Sequence, residues 1–480
     1  MKLSETVEIL KKENLAVSFS GDCDFEKISC DSRKAGKNTL FFVKGANFKE
    51  EYFTAAVKDG ICGYIAEKEY SKTLPHVIVS DVRLAMPLLA KAFYGNPAKR
   101  FLLTGVTGTK GKTTVAYMLK NIFDEYFGKD KVGMISTNGA TCGGKPVEKT
   151  GTTPEALPLY EIFNAFSRQG VEAAVMEVSS QALQYNRVEY VPFFNGIYLN
   201  LSPDHMSPTE HHSFEEYKAA KLRMLTLCKN GIVNTDDKYA KEVIAAATCE
   251  KIYTFGIEKP ADFRATDIVL TKRGATFRVG AEEYSIKMAG RFNIYNALAA
   301  IVSATLSGVD ADAIKRGLAK TEIDGRMEII EKDGKTVIVD YAHNALSFSA
   351  VFDYVDKFYP ESKKICLFGC QGNKAYDRRT ELPEIAGKKA DFVILTSDDP
   401  AREDPEEILS EVENNLKKTN VDYTKITDRE KAVRFAVEKA GKGDVVFLAG
   451  KGHEHTQIVG DSTVYYKGDM DTAKEALEEK

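Results

Sequence analysis

Residues Phe101–Tyr126, FLLTGVTGTKGKTTVAYMLKNIFDEY, run from an apolar stretch through a glycine- and threonine-rich loop into apolar residues at helical spacing. The order reads as strand, phosphate loop, helix. Val115, Met118, Leu119, Ile122, Phe123 and Tyr126 recur three and four residues apart, so one helix face is predicted to pack inward while the helix N-terminus points back into the loop. The amides of Gly108, Thr109, Lys110, Gly111, Lys112 and Thr113, with the positive end of the helix dipole, are expected to make that N-terminus an anion site. Lys112 adds a point charge, and the hydroxyl of Thr113, followed by Thr114, suits Mg2+. This is nucleoside triphosphate chemistry. Five residues separate Gly105 from Gly111, one more than in the general phosphate-loop pattern, so the loop is a variant.

At 480 residues the chain should hold about three domains, at roughly 150 residues each. Its 66 basic and 70 acidic residues give a net charge of -4, so no global field recruits nucleic acid or an anionic membrane. The eight cysteines form no CxxC pair and are too sparse for a disulfide scaffold. The N-terminus MKLSETVEILKKENLAV has no signal-peptide apolar region, and nothing later approaches a membrane-spanning length, which points to a reduced, cytoplasmic protein.

Residues 1–97 read as a small α/β unit that ends at a flexible linker, TyrGlyAsnPro at 94–97. Beyond it, VGMIST, AAVMEVS, NGIYLNLS and GIVNTDD alternate with helix-length segments, as a mostly parallel sheet requires. The alternating segment Asp262–Met288 predicts antiparallel strands with a turn at Lys272–Gly274. A second series, KTVIVDYAHN, KKICLFGCQGN, DFVILTSDDP and DVVFLAGKGHE, sends apolar strands straight into polar residues. In doubly wound sheets ligands sit beyond the carboxyl ends of strands, so Asp340, His343, Asn373, Asp398 and Glu454 are predicted to line one crevice.

Within MEVSSQALQYNR, a strand delivers Glu177 as a candidate Mg2+ ligand, Ser179 as a functional hydroxyl or a helix N-cap, and Arg187 as a grip for phosphate or carboxylate. In LNLSPDHMSPTEHHSFEEYKAAKLRMLTLC, the residues Phe214, Tyr217, Met224, Leu225 and Cys228 define a helical stripe that contains Lys221. That lysine either snorkels or, with its pKa lowered by burial, reacts with carbon dioxide to give a carbamate that binds Mg2+. His205 is a candidate partner in that site, and His211 and His212 read as surface loop residues.

In their order, CDSRKAGKNTLFF, GVTGTKGKTT, GTTPE, MEVSSQAL with Arg187, LNLSPDH, EEYKAAK, GRFNIYNALAA, GRMEII, DYAHN, TSDDPA and GKGHE resemble the Mur ligases of peptidoglycan synthesis, and within them the UDP-N-acetylmuramoyl-tripeptide synthetases. The resemblance covers nearly the whole chain. It implies an α/β fold of three domains: residues 1–97 for the UDP substrate, a central P-loop ATPase domain with a mostly parallel sheet over 98–324, and a Rossmann-like domain for the amino acid over 325–480. Lys112, His205, Lys221 and Arg326 would be catalytic. ATP would meet Gly108 through Thr114, with Asn296, Arg326 and Asp340. Ser32, Thr152, Thr153, Ser179 and Arg187 would hold the UDP-N-acetylmuramoyl-dipeptide. Arg379, Asp398, Asp399, Gly450 and Glu454 would hold the amino acid, and Thr113, Glu177, His205 and carbamylated Lys221 would bind two Mg2+ ions. Gln181 and Ala345 depart from the His and Pro that many members carry, and the loop after His205 is longer than in many members.

The implied reaction activates a carboxylate with ATP as an acyl phosphate, which the amine of an amino acid attacks. The implied protein is a monomeric cytoplasmic enzyme with no nucleic acid partner and no membrane insertion. Members that add meso-diaminopimelate typically carry arginine where this chain has Ala401, so L-lysine is the expected amino acid, with L-ornithine or meso-diaminopimelate as alternatives. A folylpolyglutamate-type ligase and a non-enzymatic ATP switch are the rival functions.

Overall fold

The computed structural model describes residues 1–45, 48–148, 151–203 and 211–479. Three large sheets follow one another along the chain. The first has five strands in the spatial order Ala16–Ser20, His76–Val79, Gly63–Ala66, Thr39–Phe42 and Lys27–Ser29, parallel except for the outermost pair. After the helix Val82–Phe93, the linker turns through Asn96 at φ 52° and a short 3-10 turn, Pro97–Arg100, into the central sheet.

The central sheet has eleven strands. Six parallel strands form its body, in the order Lys251–Gly256, Cys228–Asn234, Phe193–Tyr198, Leu102–Thr107, Ala173–Glu177 and Val132–Ser136. The strand feeding the phosphate loop lies inside this body, between Phe193–Tyr198 and Ala173–Glu177. Within the segment read as antiparallel, Phe263–Thr271, Gly274–Val279 and Glu282–Ile286 pair antiparallel with one another, with the turn at Lys272–Arg273, while Phe263–Thr271 joins Lys251–Gly256 in parallel at one edge of the sheet. The helix Lys112–Phe127 buries Val115, Met118, Leu119, Ile122 and Phe123, each side chain worth about 1.5–3 kcal/mol on leaving water. Tyr126, read from periodicity as part of that face, is exposed, because it lies in the last turn, past the edge of the buried core. The helix Ala311–Lys320 crosses this one so closely that a Cβ at Gly317 would lie 2.5 Å from the Ile122 Cα. Glycine is required there by packing.

The stripe read as one helix from Phe214 to Cys228 is three elements. The α-helix ends at Leu222, a 3-10 turn spans Arg223–Thr226, and Cys228 opens the strand Cys228–Asn234. Both the helix and the strand face the same core, so apolar spacing continues across the break. The C-terminal sheet has six strands in the order Glu328–Lys332, Lys335–Asp340, Val445–Ala449, Lys364–Phe368, Phe392–Leu395 and Asp422–Lys425, all parallel but the first. All eight cysteines are free thiols. Among the described residues no helix is long and apolar enough to cross a membrane.

Candidate active site

A cleft of about 980 Å³ lies where the phosphate loop faces the carboxyl ends of the C-terminal strands. From the central domain it is lined by Thr109–Thr114, Thr137, Thr152, Glu177 and Asn296, and from the C-terminal domain by Arg326, Asp340, Tyr341, His343, Lys374, Arg378 and Glu454. Of the five residues expected to share one crevice, Asp340, His343 and Glu454 line it. Asn373 and Asp398 do not: Asn373 accepts from the Arg402 N–H and donates to Glu403, and Asp398 is buried beneath Gly450.

The loop is held from several sides. Asn200 clasps Lys110, accepting from its N–H at 2.9 Å and donating to its carbonyl at 3.0 Å. Gly111 adopts φ 90°, and a Cβ there would meet the Asn296 Oδ1, so only glycine lets the helix Phe292–Leu306 approach the loop. Lys112 Nζ donates to the carbonyls of Gly108 and Thr109 at 2.8 and 3.3 Å. The Thr113 hydroxyl donates to Glu177 Oε1 at 2.9 Å, and the same oxygen accepts from the Thr137 N–H at 3.0 Å. Burial pushes the Glu177 carboxyl up while Lys112 pulls it down. Burial likewise raises the carboxyl of Asp340 against the pull of Arg326.

Lys221 is buried. Its Nζ donates to the Gly108 carbonyl at 2.9 Å and lies 4.8 Å from the centre of the Tyr217 ring. His205 falls outside the described residues. His211, expected at the surface, is fully buried, with Nε2 2.8 Å from the Ser180 hydroxyl and its ring edge-on to Tyr217. The aromatic wall of the helix Phe214–Leu222 and the Ser180 hydroxyl give its ring a place that polarity along the sequence does not reveal. Among the described residues no group of three or more His, Cys, Asp or Glu is arranged for a metal, whereas the Thr113–Glu177 pair offers the hard oxygens that suit Mg2+, an ion that keeps much of its own water.

Of the residues assigned to the UDP substrate, Thr153, Ser179 and Arg187 gather where Glu155 reaches Lys44 of the first domain, and Thr152 lines the cleft. Thr153 donates to the Glu177 carbonyl and accepts from the Ser179 N–H, and Arg187 donates to the Thr153 carbonyl at 3.2 Å. Ser179 caps the short helix Ser180–Gln184, accepting from the Ala182 N–H. Glu155 bridges Arg187 at 2.9 Å and Lys44 of the first domain at 2.6 Å. Ser32 opens a 3-10 turn in the first domain, away from the cleft lining.

In the C-terminal domain Arg379 is buried and paired with Glu403 and Glu411 at 2.8 and 2.7 Å. Gly450, at φ 110°, brings the chain against Asp398, where a Cβ would stand 2.9 Å from Oδ2. Arg429 supports that corner, donating to the Ala449 carbonyl and forming a two-pronged buried pair with Asp469. Ala401 sits at φ 52°, and the neighbouring Arg402 extends to the surface, where Nε donates to Asp461 at 2.6 Å. Sequence reasoning missed Asn200, Tyr341 and Lys451, although the first lies in LNLSPDH, the second in DYAHN and the third in GKGHE. Among the described residues, hydrogen bonds across the cleft include Lys110 Nζ to His343 Nε2 at 2.8 Å, and His453 Nε2 with Asn138 Oδ1 at 3.1 Å.

Comparison with known proteins supplies the deciding observation: residues 106–304 match the Mur ligase middle domain and residues 325–452 the Mur ligase glutamate ligase domain. The chain belongs to the Mur ligase family. Mur ligases are ATP-dependent amide-bond-forming ligases, and so is this one. This Mur ligase is 37% identical to a UDP-N-acetylmuramoyl-L-alanyl-D-glutamate--2,6-diaminopimelate ligase of Caldanaerobacter subterraneus over 98% of its own length and 99% of the relative's. It is 36% identical to a UDP-N-acetylmuramoyl-L-alanyl-D-glutamate--L-lysine ligase of Enterococcus faecalis, over 96% and 93%. A solved diaminopimelate ligase of the same name superposes with a TM-score of 0.66 at 27% identity, covering 95% of each chain.

Proposed function

We propose that this Mur ligase adds L-lysine to UDP-N-acetylmuramoyl-L-alanyl-D-glutamate, with residues 1–97, 98–324 and 325–480 handling the UDP substrate, ATP and the amino acid respectively. The observation that carries the reading is one cleft in which Lys112, Thr113 and Glu177 face Arg326, Asp340 and Glu454. A phosphate-activating half and an amine-delivering half meet there. A carboxylate oxygen of the dipeptide attacks the γ-phosphorus of ATP and ADP leaves. The amino acid's amine then attacks the acyl carbon, loses a proton and expels inorganic phosphate. Phosphoryl transfer depends on positioning and charge neutralisation, which Lys112 and Arg326 provide from opposite walls. Thr113 and Glu177 would hold Mg2+, which supplies further neutralisation when bound. Lys221 as a carbamate, with His205, would hold a second ion, and a carbamate keeps one N–H to donate to Gly108.

Overall identity to relatives named for lysine and for diaminopimelate is nearly equal, so the amino acid is argued from the site. A second side-chain carboxylate finds Ala401 where arginine would serve it, while Arg402 is spent on Asp461 at the surface. Losing such a charge-assisted bond costs about 1.5–3 kcal/mol. A cationic side chain instead meets Glu454, with Asp398 and Asp399 behind it. Arg379 would take the α-carboxylate by displacing one of its two glutamates. The test is phosphate release by the purified enzyme. Release that requires ATP, the nucleotide dipeptide and an amino acid together supports the ligase reading, and release with ATP alone or with a folate and glutamate contradicts it.

A further inference from the structure

Lys451 is 1% exposed and lies among the acids just assigned to the amino acid. Its Nζ is 2.8 Å from Asp399 Oδ1, 2.7 Å from Glu454 Oε2 and 3.8 Å from Asp398 Oδ1. A lysine so deeply buried needs ionic partners, and the acids in turn need it. The Asp399 carboxylate is also fixed by the Ile458 N–H at 3.0 Å and the Gln371 amide at 3.3 Å, and Glu454 by the Tyr341 hydroxyl at 3.1 Å. Asp398 Oδ1 is buried with no hydrogen-bond partner. The pocket is therefore organised around a primary ammonium on a four-carbon stem, the chemistry of the substrate side chain itself. Lys451 stays charged there: burial pulls its pKa down, but Asp398, Glu454 and Asp399 more than offset that and leave it raised.

We infer that Lys451 is a specificity-determining residue of the amino-acid site, a fixed internal cation that holds Asp399 and Glu454 in place so that Glu454, on the cleft wall, receives a cationic side chain. Without it three carboxylates would face one another, and Glu454, the most exposed of them, would swing toward solvent. The inference rests on the reading of this pocket as the amino-acid site. Lys451 is a positioning residue in that reading, so the informative quantities are the KM values taken one substrate at a time and the preference for L-lysine over its uncharged analogue L-norleucine.

The experiment compares wild type, Lys451→Met and Lys451→Arg with ATP, the nucleotide dipeptide, L-lysine, L-ornithine and L-norleucine. In K451M the KM for L-lysine should rise at least tenfold, and the lysine preference over norleucine should fall at least tenfold. The KM values for ATP and the nucleotide dipeptide should stay within twofold. A folded K451M with lysine KM and preference within twofold of wild type overturns the inference. If K451M does not fold, K451R decides: its longer planar fork displaces the acids toward the cleft and should shift the lysine-to-ornithine ratio of kcat/KM at least fivefold, and an unchanged ratio overturns the inference. Wild-type ligation of L-lysine separately tests the parent reading. If the wild type takes another amino acid, the same KM comparison with that amino acid still tests Lys451.

Discussion

Lys221 donates from Nζ to the carbonyl of Gly108 across 2.9 Å, tying the helix Phe214–Leu222 to the phosphate loop from within the core. A snorkelling lysine would carry its ammonium to solvent, and this one does not. If Lys221 carries the proposed carbamate, Lys221→Ala is expected to lower ligation by at least about 10–100-fold, the cost of losing even an outer-shell partner of a metal, with partial rescue by short carboxylic acids. The assay is ligation rate against added acetate or formate. A variant within a few-fold of wild type, without rescue, would leave Lys221 as a structural tether only.

Lys112 lies at the mouth of the loop with its ammonium on the Gly108 carbonyl, ready to exchange that partner for phosphate oxygens. Lys112→Ala should reduce ATP turnover and ligation together by about 10²–10³-fold, the size expected for loss of one preorganised charge partner, while the circular dichroism spectrum is unchanged. A near-normal rate would refute the phosphate-loop assignment.

Gly111→Ala places a methyl group against the Asn296 amide at a backbone angle that alanine adopts only under strain of about 1–3 kcal/mol. The KM for ATP should rise at least as much as stability falls, because the loop itself moves. Asn296→Ala in the same chain removes the collision but not the strain, so thermal melts and ATP titrations of the single and double variants should show partial recovery. Full recovery would place all the cost in the collision.

Much of this architecture was legible because strands and loops carry their chemistry locally. The run Phe101–Thr107, the glycines and GlyLysThrThr fix strand, loop and helix without reference to anything distant, and four C-terminal strands announce themselves by ending in polar residues. The helix assigned from Phe214 to Cys228 shows the limit, since a shared core preserves apolar spacing across a 3-10 turn and a change of element. His211 and Lys451 show another. Burial of a polar side chain depends on partners far along the chain, Ser180 for one and Asp399 for the other, and neither pairing leaves a periodic trace.

Burial raises the carboxyl pKa of Asp398 to about 6, with Lys451 and Arg429 pulling the other way. A neutral carboxyl does not hold an ammonium, so affinity for the cationic amino acid should be full above this value and fall as pH drops through about 6. Bound substrate cation favours the ionised form, which moves the titration lower at saturation. The check is the KM for L-lysine from pH 5 to 8, with Asp398→Asn expected to flatten the profile. A KM that instead improves on acidification would contradict the role of Asp398.

The central claim is that the amino-acid site proposed around Ala401, Glu454, Asp398 and Asp399 takes a side-chain ammonium and disfavours a second carboxylate beside it. One competition measures it directly: L-lysine, L-ornithine and meso-diaminopimelate at equal concentration with ATP and the nucleotide dipeptide, the products resolved by mass. The account predicts L-lysine in excess, by roughly ten- to a hundredfold over diaminopimelate, the range that about 1.5–3 kcal/mol allows. Preferential incorporation of diaminopimelate would contradict it and would assign to Arg402, or to another base, the carboxylate contact that Ala401 lacks.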